Sequence, residues 1–505
     1  GLVVMDFAQH LPVLQVIIPL LAAPLIVLLQ PRGFAWAATT ATAFFSFAVS
    51  IAIAARILAG DILHYEMGGW FAPIGIELRV DAFSAIVLLI ISGAAAISLV
   101  AARTSINQQI EHHRQPLFYA AWLLAIAGLV GMVVTADAFN IFVFMEISSL
   151  AGYILIAGGP DRRALPAVFK YLIIGTIGAT FYLIGVGMIY MMTGTLNLDD
   201  MAQRVVGIED QRPILVAAAF VFIGLALKAA LFPLHVWLPN AYTHAPHMVT
   251  VFLAACGTKV AVYVLLRFQF TIFQSFAEHL LQFALFLMPL ALLGITVASL
   301  VAMFEGHLKR MLAFSSVAQI GYILLGASLM SDSGFTASTL HMFNHALAKG
   351  ALFLAVAKFA TQYADLRIDS LEGAARSMPL TSFAFVIAGL SLIGVPGTAG
   401  FISKWQLIMA IMETGNMGFI MVGIVVISSL IAVAYIWRVV ETLYAIPTDN
   451  IPASATNVNV KSEKIDLLLV ALMFTVAMNI YFGLVPALPF TLAELSSQIL
   501  LQVKF

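Results

Sequence analysis

Residues 220–241 read FVFIGLALKAALFPLHVWLPNA. So apolar a run belongs in hydrocarbon, yet it carries one amine, Lys228, well inside it, and two prolines, Pro233 and Pro239, soon afterwards. Proline lacks an N–H and clashes with the preceding turn, so a helix through this stretch must break near Pro233. Broken backbone at membrane depth is tolerated only where protein or water surrounds it. The stretch therefore reads as a discontinuous transmembrane helix with a buried cation beside the break. That combination belongs to transport pathways rather than to simple anchors.

The rest of the chain agrees. Of its 505 residues, 62% are hydrophobic and only 10% charged, and the mean hydropathy is +1.03. A soluble domain carries about 25% charged residues, so lipid is the solvent that explains the deficit. A net charge of -1 gives no reason to expect nucleic acid as a partner. The single cysteine, Cys256, excludes an intrachain disulfide framework and a multi-cysteine iron–sulfur or zinc site. No ATP-binding loop is found, and no cofactor is expected in this chain.

Working outward from 220–241, apolar runs long enough to span fall near 11–30, 35–59, 82–101, 116–135, 139–158, 169–192, 213–231, 248–268, 280–303, 313–330, 335–359, 381–411, 418–445 and 465–490. The fold class is thus all-α integral membrane, with about fourteen transmembrane helices. Between the second and third runs, His64 to Asp81 alternates like a short hairpin. With the N-terminus placed outside, the inside loops hold Arg32, Arg103, Arg114, Arg162, Arg163, Lys309, Arg310, Lys358, Arg367, Arg376, Arg438, Lys461 and Lys464. The outside ends hold Arg56, Arg79, Arg204, Arg212, Arg267 and Lys504. The excess of basic residues inside favours both termini outside.

Ionisable groups within spans mark a pathway by default. Glu146 lies in FNIFVFMEISSLAGYILIA (139–157), where the bland alternative is a structural carboxylate paired with a neighbouring cation. Lys228 sits where desolvation disfavours its charge and a nearby carboxylate restores it, so moving the partner switches the amine. Lys259, in VTVFLAACGTKVAVYVLL (249–266), is too central in its run to snorkel. Lys404 follows Pro396, Gly397 and Gly400 in SLIGVPGTAGFISKWQLIMAIM (391–412), a second broken span with a cation beside it and a hint of internal repetition. In LHMFNHALAKGALFLAVAKF (340–359), His341, His345 and Lys349 are four apart and share one helix face. Histidine relays protons near neutral pH. The alternatives are a packed amphipathic stripe or, less suitably without a nearby carboxylate or thiol, a metal pair. His235, His244 and His247 form a further cluster after the first break, suited to proton uptake or release, as is His341.

These segments resemble a known family. LKAALFPLHVWLPNAYTHAPHMVTVFLAACGTKVAVYVLLR (227–267) looks like the proton-translocating signature of the antiporter-like subunits of complex I, of Mrp-type Na+/H+ antiporters and of membrane-bound hydrogenases. GHLKRMLAFSSVAQIGYILLG (306–326), FNHALAKGALFL (343–354) and GVPGTAGFISKW (394–405) look like three further family segments in the expected order. The resemblance implies inverted five-helix repeats with two discontinuous helices. Residues 1–110 would be N-terminal helices, 111–270 the first repeat, 271–447 the second, and 448–505 the last helix and tail. It also implies an ion pair of Glu146 with Lys228, a bridging Lys259, a central His345 and Lys349, and a terminal Lys404. Two departures matter. Gln319 stands where many complex I members place a histidine, and glutamine cannot titrate. Lys404 is a lysine where one complex I type carries a glutamate. With no long lateral helix after the fourteenth run, the match is closest to the Mrp-type antiporter's D subunit.

The expected function is proton translocation within a multisubunit Na+/H+ antiporter complex in a prokaryotic plasma membrane. No sodium site is readable, which leaves sodium to partner membrane subunits. The alternative is the same proton path driven by redox chemistry in other chains, as in NADH:quinone oxidoreductase or a membrane-bound hydrogenase. A stand-alone transporter and a passive scaffold are the remaining classes. The first predicts activity from this chain alone, and the second does not need titratable groups in its spans.

Overall fold

The computed structural model describes residues 7–29, 33–275, 277–446 and 462–501. The basic residues Arg32, Lys461 and Lys504 lie outside the described residues. The chain is nearly all helix. Two crossings, α1 (Leu11–Leu29) and α2 (Phe34–Leu58), lead to a short antiparallel hairpin of β1 (Leu63–Glu66) and β2 (Glu77–Val80). Asp81 then caps α3 (Ala82–Gln109), its carboxylate accepting from the backbone N–H of Ser84. Next come α4 (Gln115–Val134), α5 (Ala138–Ala157), α6 (Ala164–Thr193) and the short α7 (Leu198–Val205).

The break read at Pro233 is present. α8 (Arg212–Ala229) stops one residue after Lys228, and α9 (Trp237–His244) resumes beyond it. α10 (His247–Phe252) continues through a π-helical turn, Leu253–Gly257, into α11 (Thr258–Thr271). Then follow α12 (Ala277–Phe304), α13 (Leu308–Ser328), α14 (Asp332–Phe359) and a single turn, α15 (Ala374–Ser377). The second break is also where Pro396 and Gly397 place it, between α16 (Pro379–Ile393) and α17 (Ala399–Met412), ahead of α18 (Asn416–Tyr444).

Among the described residues, 13 helices are long and apolar enough to cross a membrane. α16 and α17 make a further crossing together, since neither is long enough alone. The fourteenth crossing brings a third interruption. α19 (Leu467–Leu484) and α20 (Ala487–Leu501) are separated at Val485 and Pro486. α19 runs antiparallel to α14, tied by Lys358 to Asp466 at one end and by Asn479 to Leu347 further along. α20 continues along α14 until Ser497 donates to Asp332.

Between α4 and α11 the chain crosses five times, and between α12 and α18 five times again, with the fourth crossing broken in each set. Five is odd, so the second set enters from the opposite side, and the two sets are inverted. One side of the molecule carries the β-hairpin. The other carries the loops at 158–163, 245–246, 305–307 and 360–378. The apolar stretches of α13 and α14 are 94% buried, against 33% for α12 and α18. α13, α14, α4 and the α10–α11 crossing therefore form the interior, and α12 and α18 face outward.

Candidate proton pathway

Every lysine singled out in a span points inward. Lys228, in the last turn of α8, is buried and donates to Ser149 Oγ at 2.8 Å. No hydrogen bond or ion pair joins it to Glu146, so the direct pair implied by the resemblance is open here. Glu146 lies one turn before Ser149 on α5, half-buried. A small cavity of about 60 Å³ runs from Lys228 and Ser149 past Tyr171, Trp237 and Tyr242 to Gly257 and Thr258. A water needs about 10–15 Å³ of such space, so a few waters fit between the α8 break and the π-turn that precedes Lys259.

Lys259 is fully buried and donates to the carbonyl of Ala254 at 2.5 Å, within that π-turn. Widened turns of this kind leave backbone acceptors open to side chains. Across from it on α14, Lys349 donates to Leu312 O at 2.6 Å and is fully buried. His345, 1% exposed, stands one turn before Lys349 on the same helix, and neither ring nitrogen has a protein partner among the described residues.

Lys404 ends the line. Its ammonium donates to Leu392 O at 3.1 Å, Ile393 O at 2.9 Å and Ser429 Oγ at 3.3 Å, and lies 4.9 Å from the centre of the Tyr322 ring. The two carbonyls end α16, so the cation sits at the negative end of that half-helix. Gly394, at φ 94°, makes the turn there, and a Cβ on it would meet Lys404 Cδ at 2.8 Å. Lys228 precedes its break and Lys404 follows its own, yet each is placed at the C-terminal end of the first half-helix.

The remaining histidines separate. His341 stands one turn before His345 on α14, bonded to Gln319 and Ser403. His235 stays in the α8–α9 break, stacked on Phe232. His244 and His247 open into a cavity of about 790 Å³ on the loop side, with Asp161, Arg163, His307, Lys309, Asp365 and Arg367. There His244 Nδ1 bonds Asp161 Oδ2 at 3.0 Å. Burial acts to raise the Asp161 carboxyl, but bonds from Arg163 and His244 outweigh it and hold it at about 2. Burial and the charge of Lys309 push His307 down to about 4. Lys309, a loop charge by its position in the sequence, is 1% exposed and donates to Ala245 O at 2.7 Å, with His247 Nδ1 at 3.3 Å. Arg267, by the same reasoning a loop charge, is instead buried and bidentate to Asp81 at 2.7 Å, with Tyr263 and Ser84 beside it. Burial acts to raise Asp81, but Arg267 holds it well below the usual carboxylate range.

Sequence reasoning missed Ser149, Ser403, Ser429, Tyr322, Lys309 and His307. Serines are ordinary in helices, and only the partner across the interface marks these.

Known proteins share this fold. A family profile described as "NADH:quinone oxidoreductase/Mrp antiporter, TM" matches residues 135–432. The chain is 41% identical to the N subunit of the NADH-quinone oxidoreductase of Desulforudis audaxviator, over 86% of each chain. It is 30% identical to the D subunit of the Na(+)/H(+) antiporter of Alkalihalophilus pseudofirmus, over 72% of each. Among solved structures it resembles a chain of the membrane-bound sulfane sulfur reductase, an archaeal respiratory membrane complex, with TM-score 0.88 and 28% identity over 98% of each chain. It also resembles a chain of the Mrp complex from Dietzia sp. DQ12-45-1b, with TM-score 0.87 and 26% identity over 99% of this chain and 98% of that one. The chain belongs to the transmembrane subunit family shared by NADH:quinone oxidoreductases and Mrp antiporters.

Proposed function

We propose that this chain is a proton-translocating subunit of a multisubunit cation/proton antiporter complex of Mrp type. One observation carries the reading: Lys228, Lys259, His345, Lys349 and Lys404 form an interior line of titratable groups, with no bonded carboxylate among the described residues. A structural role gains nothing from so many unpaired amines, because each costs desolvation. In the proposed cycle, closure of Glu146 onto Lys228 holds that amine charged. Opening, with Lys228 on Ser149, releases its proton through the small cavity to Lys259. His345 and Lys349 pass it on, and Lys404 accepts it. The loop-side cavity, rich in basic residues, faces the cytoplasm of a prokaryotic plasma membrane, with both termini outside. The chain needs no cofactor of its own, and sodium binding belongs to partner membrane subunits.

The identity to the N subunit of a quinone oxidoreductase favours a second reading, in which redox chemistry in partner chains drives the same path. Gentle purification of a tagged chain separates the two. Co-purifying small membrane subunits alone support antiport, and iron–sulfur or flavin subunits support a redox-driven pump. The path itself is tested by Lys228→Ala in the assembled complex. Proton transport in vesicles is expected to be lost, and wild-type transport with intact assembly would sink the proposal.

A further inference from the structure

His341 and His345 stand one turn apart on α14, with ring centroids 6.1 Å apart and planes 13° from parallel. Their surroundings differ. His341 has both nitrogens engaged, Nε2 with Gln319 Oε1 at 2.7 Å and Nδ1 with Ser403 Oγ at 2.7 Å. An amide oxygen only accepts, so Nε2 carries a hydrogen and donates it to Gln319, while the Ser403 hydroxyl lies between Nδ1 and the carbonyl of Gly400, 3.4 Å away. Gln319 is itself buried, on α13, and can neither supply nor receive a proton. The Nε2 end of His341 is therefore a dead end for proton traffic. His345 has neither nitrogen engaged by protein. The groups facing it are Lys259 from α11, Lys349 and His341 from α14, and Lys404 from α17. Facing His341 are Lys404, Lys259 and the edge of Tyr322.

We infer that Gln319, with Ser403, is a positioning residue that pins the Nε2–H of His341 on an amide oxygen, so that protons crossing α14 travel through His345 alone. The inference rests on the proton-pathway reading above. It also gives the glutamine at 319 a physical meaning: one potential relay site is closed off by an amide that cannot titrate.

The test uses the assembled complex in sealed vesicles, with assembly checked by native gel. His341→Gln keeps one donor and one acceptor for Gln319 and Ser403, and transport is expected within about threefold of wild type. His345→Gln is expected to lose more than tenfold. Gln319→Glu places a carboxylate against Nε2 and turns His341 into a charged partner. The pH profile of transport is then expected to gain a second limb, which a merely structural role for Gln319 would not produce. Equal losses in His341→Gln and His345→Gln overturn the inference, as does an unchanged profile in an active Gln319→Glu complex. Lys228→Ala, measured alongside, keeps the two levels apart. If it transports normally, the pathway reading itself fails. If it is inactive while His341→Gln is also inactive, only the role assigned to His341 fails.

Discussion

Ser149 is the side chain to which Lys228 is bonded. It accepts the amine at 2.8 Å in a setting where Glu146 does not. Removing an acceptor from a buried charged donor costs about 1–3 kcal/mol, and about 1.4 kcal/mol is tenfold in rate. Ser149→Ala is therefore expected to lower proton transport about tenfold, and Ser149→Thr, which keeps the hydroxyl, to retain most of it. Unchanged transport in an assembled Ser149→Ala complex would remove serine from the path. The lysines were legible in sequence because a charge in an apolar run stands out by type alone. Ser149 and Ser403 were not, because a helical serine usually bonds its own backbone, as Ser316 does with Leu312 O. Lys309 and Arg267 escape sequence reading for a different reason. Nearness to a helix end does not say which face of the helix a residue occupies.

The half-helices are positioned by what touches their ends. At its start α16 is capped by Glu463, which accepts from the backbone N–H groups of Leu380 and Thr381. At its finish it holds Lys404. Beside the break, Gly483 of α19 comes so close that a Cβ would lie 2.4 Å from the carbonyl carbon of Thr398. Backbone has no rotamer by which to yield, so Gly483→Ala must separate α19 from the break. Overpacking of this kind costs about 1–3 kcal/mol. A lower melting temperature of the complex and impaired transport are expected. Gly350→Ala is the control, since its nearest neighbour would be Thr475 Cγ2 at 3.9 Å, an ordinary contact. Equal melting temperatures for the two variants would contradict this account. Both breaks beside lysines were readable because Pro233 and Pro396 interrupt long apolar runs. The interruption at Pro486 was not, because it falls close to the end of the 465–490 run and looks like a helix end.

Across the whole molecule the two sides differ in how they answer to pH. The hairpin side is closed by Asp81 and Arg267, a pair that stays ionised through the physiological range. The loop side carries His307, held neutral down to about 4. Its loop is joined to the next by Leu308 N–H to Leu366 O at 3.0 Å and Ile368 N–H to Gly306 O at 2.8 Å. If that junction opens, His307 returns to an ordinary value of about 6.5. The open form then binds more protons than the closed one between about 4 and 6.5. The closed junction is therefore fully stable above that window and is weakened as pH falls through it. Hydrogen exchange at 306–308 and 366–368, corrected for intrinsic rates, is expected to accelerate on acidification, and His307→Gln to remove the effect. Acid-independent exchange in the wild type would refute it. The number of crossings was legible from composition and run length. The grouping of distant loops around one cavity was not, because each of those loops is unremarkable alone.

The hold of Lys404 on Leu392 and Ile393 has a mechanical side. On the proposed pathway, the charge that Lys404 takes up is also the charge that finishes a half-helix. An amine that gives up its proton also loosens its grip on a helix end, so occupancy and shape are not independent variables at this position. Loading the site winds a joint, and unloading it lets the joint go. If the proposed pathway holds, the arrival of a single proton at Lys404 is also a mechanical event.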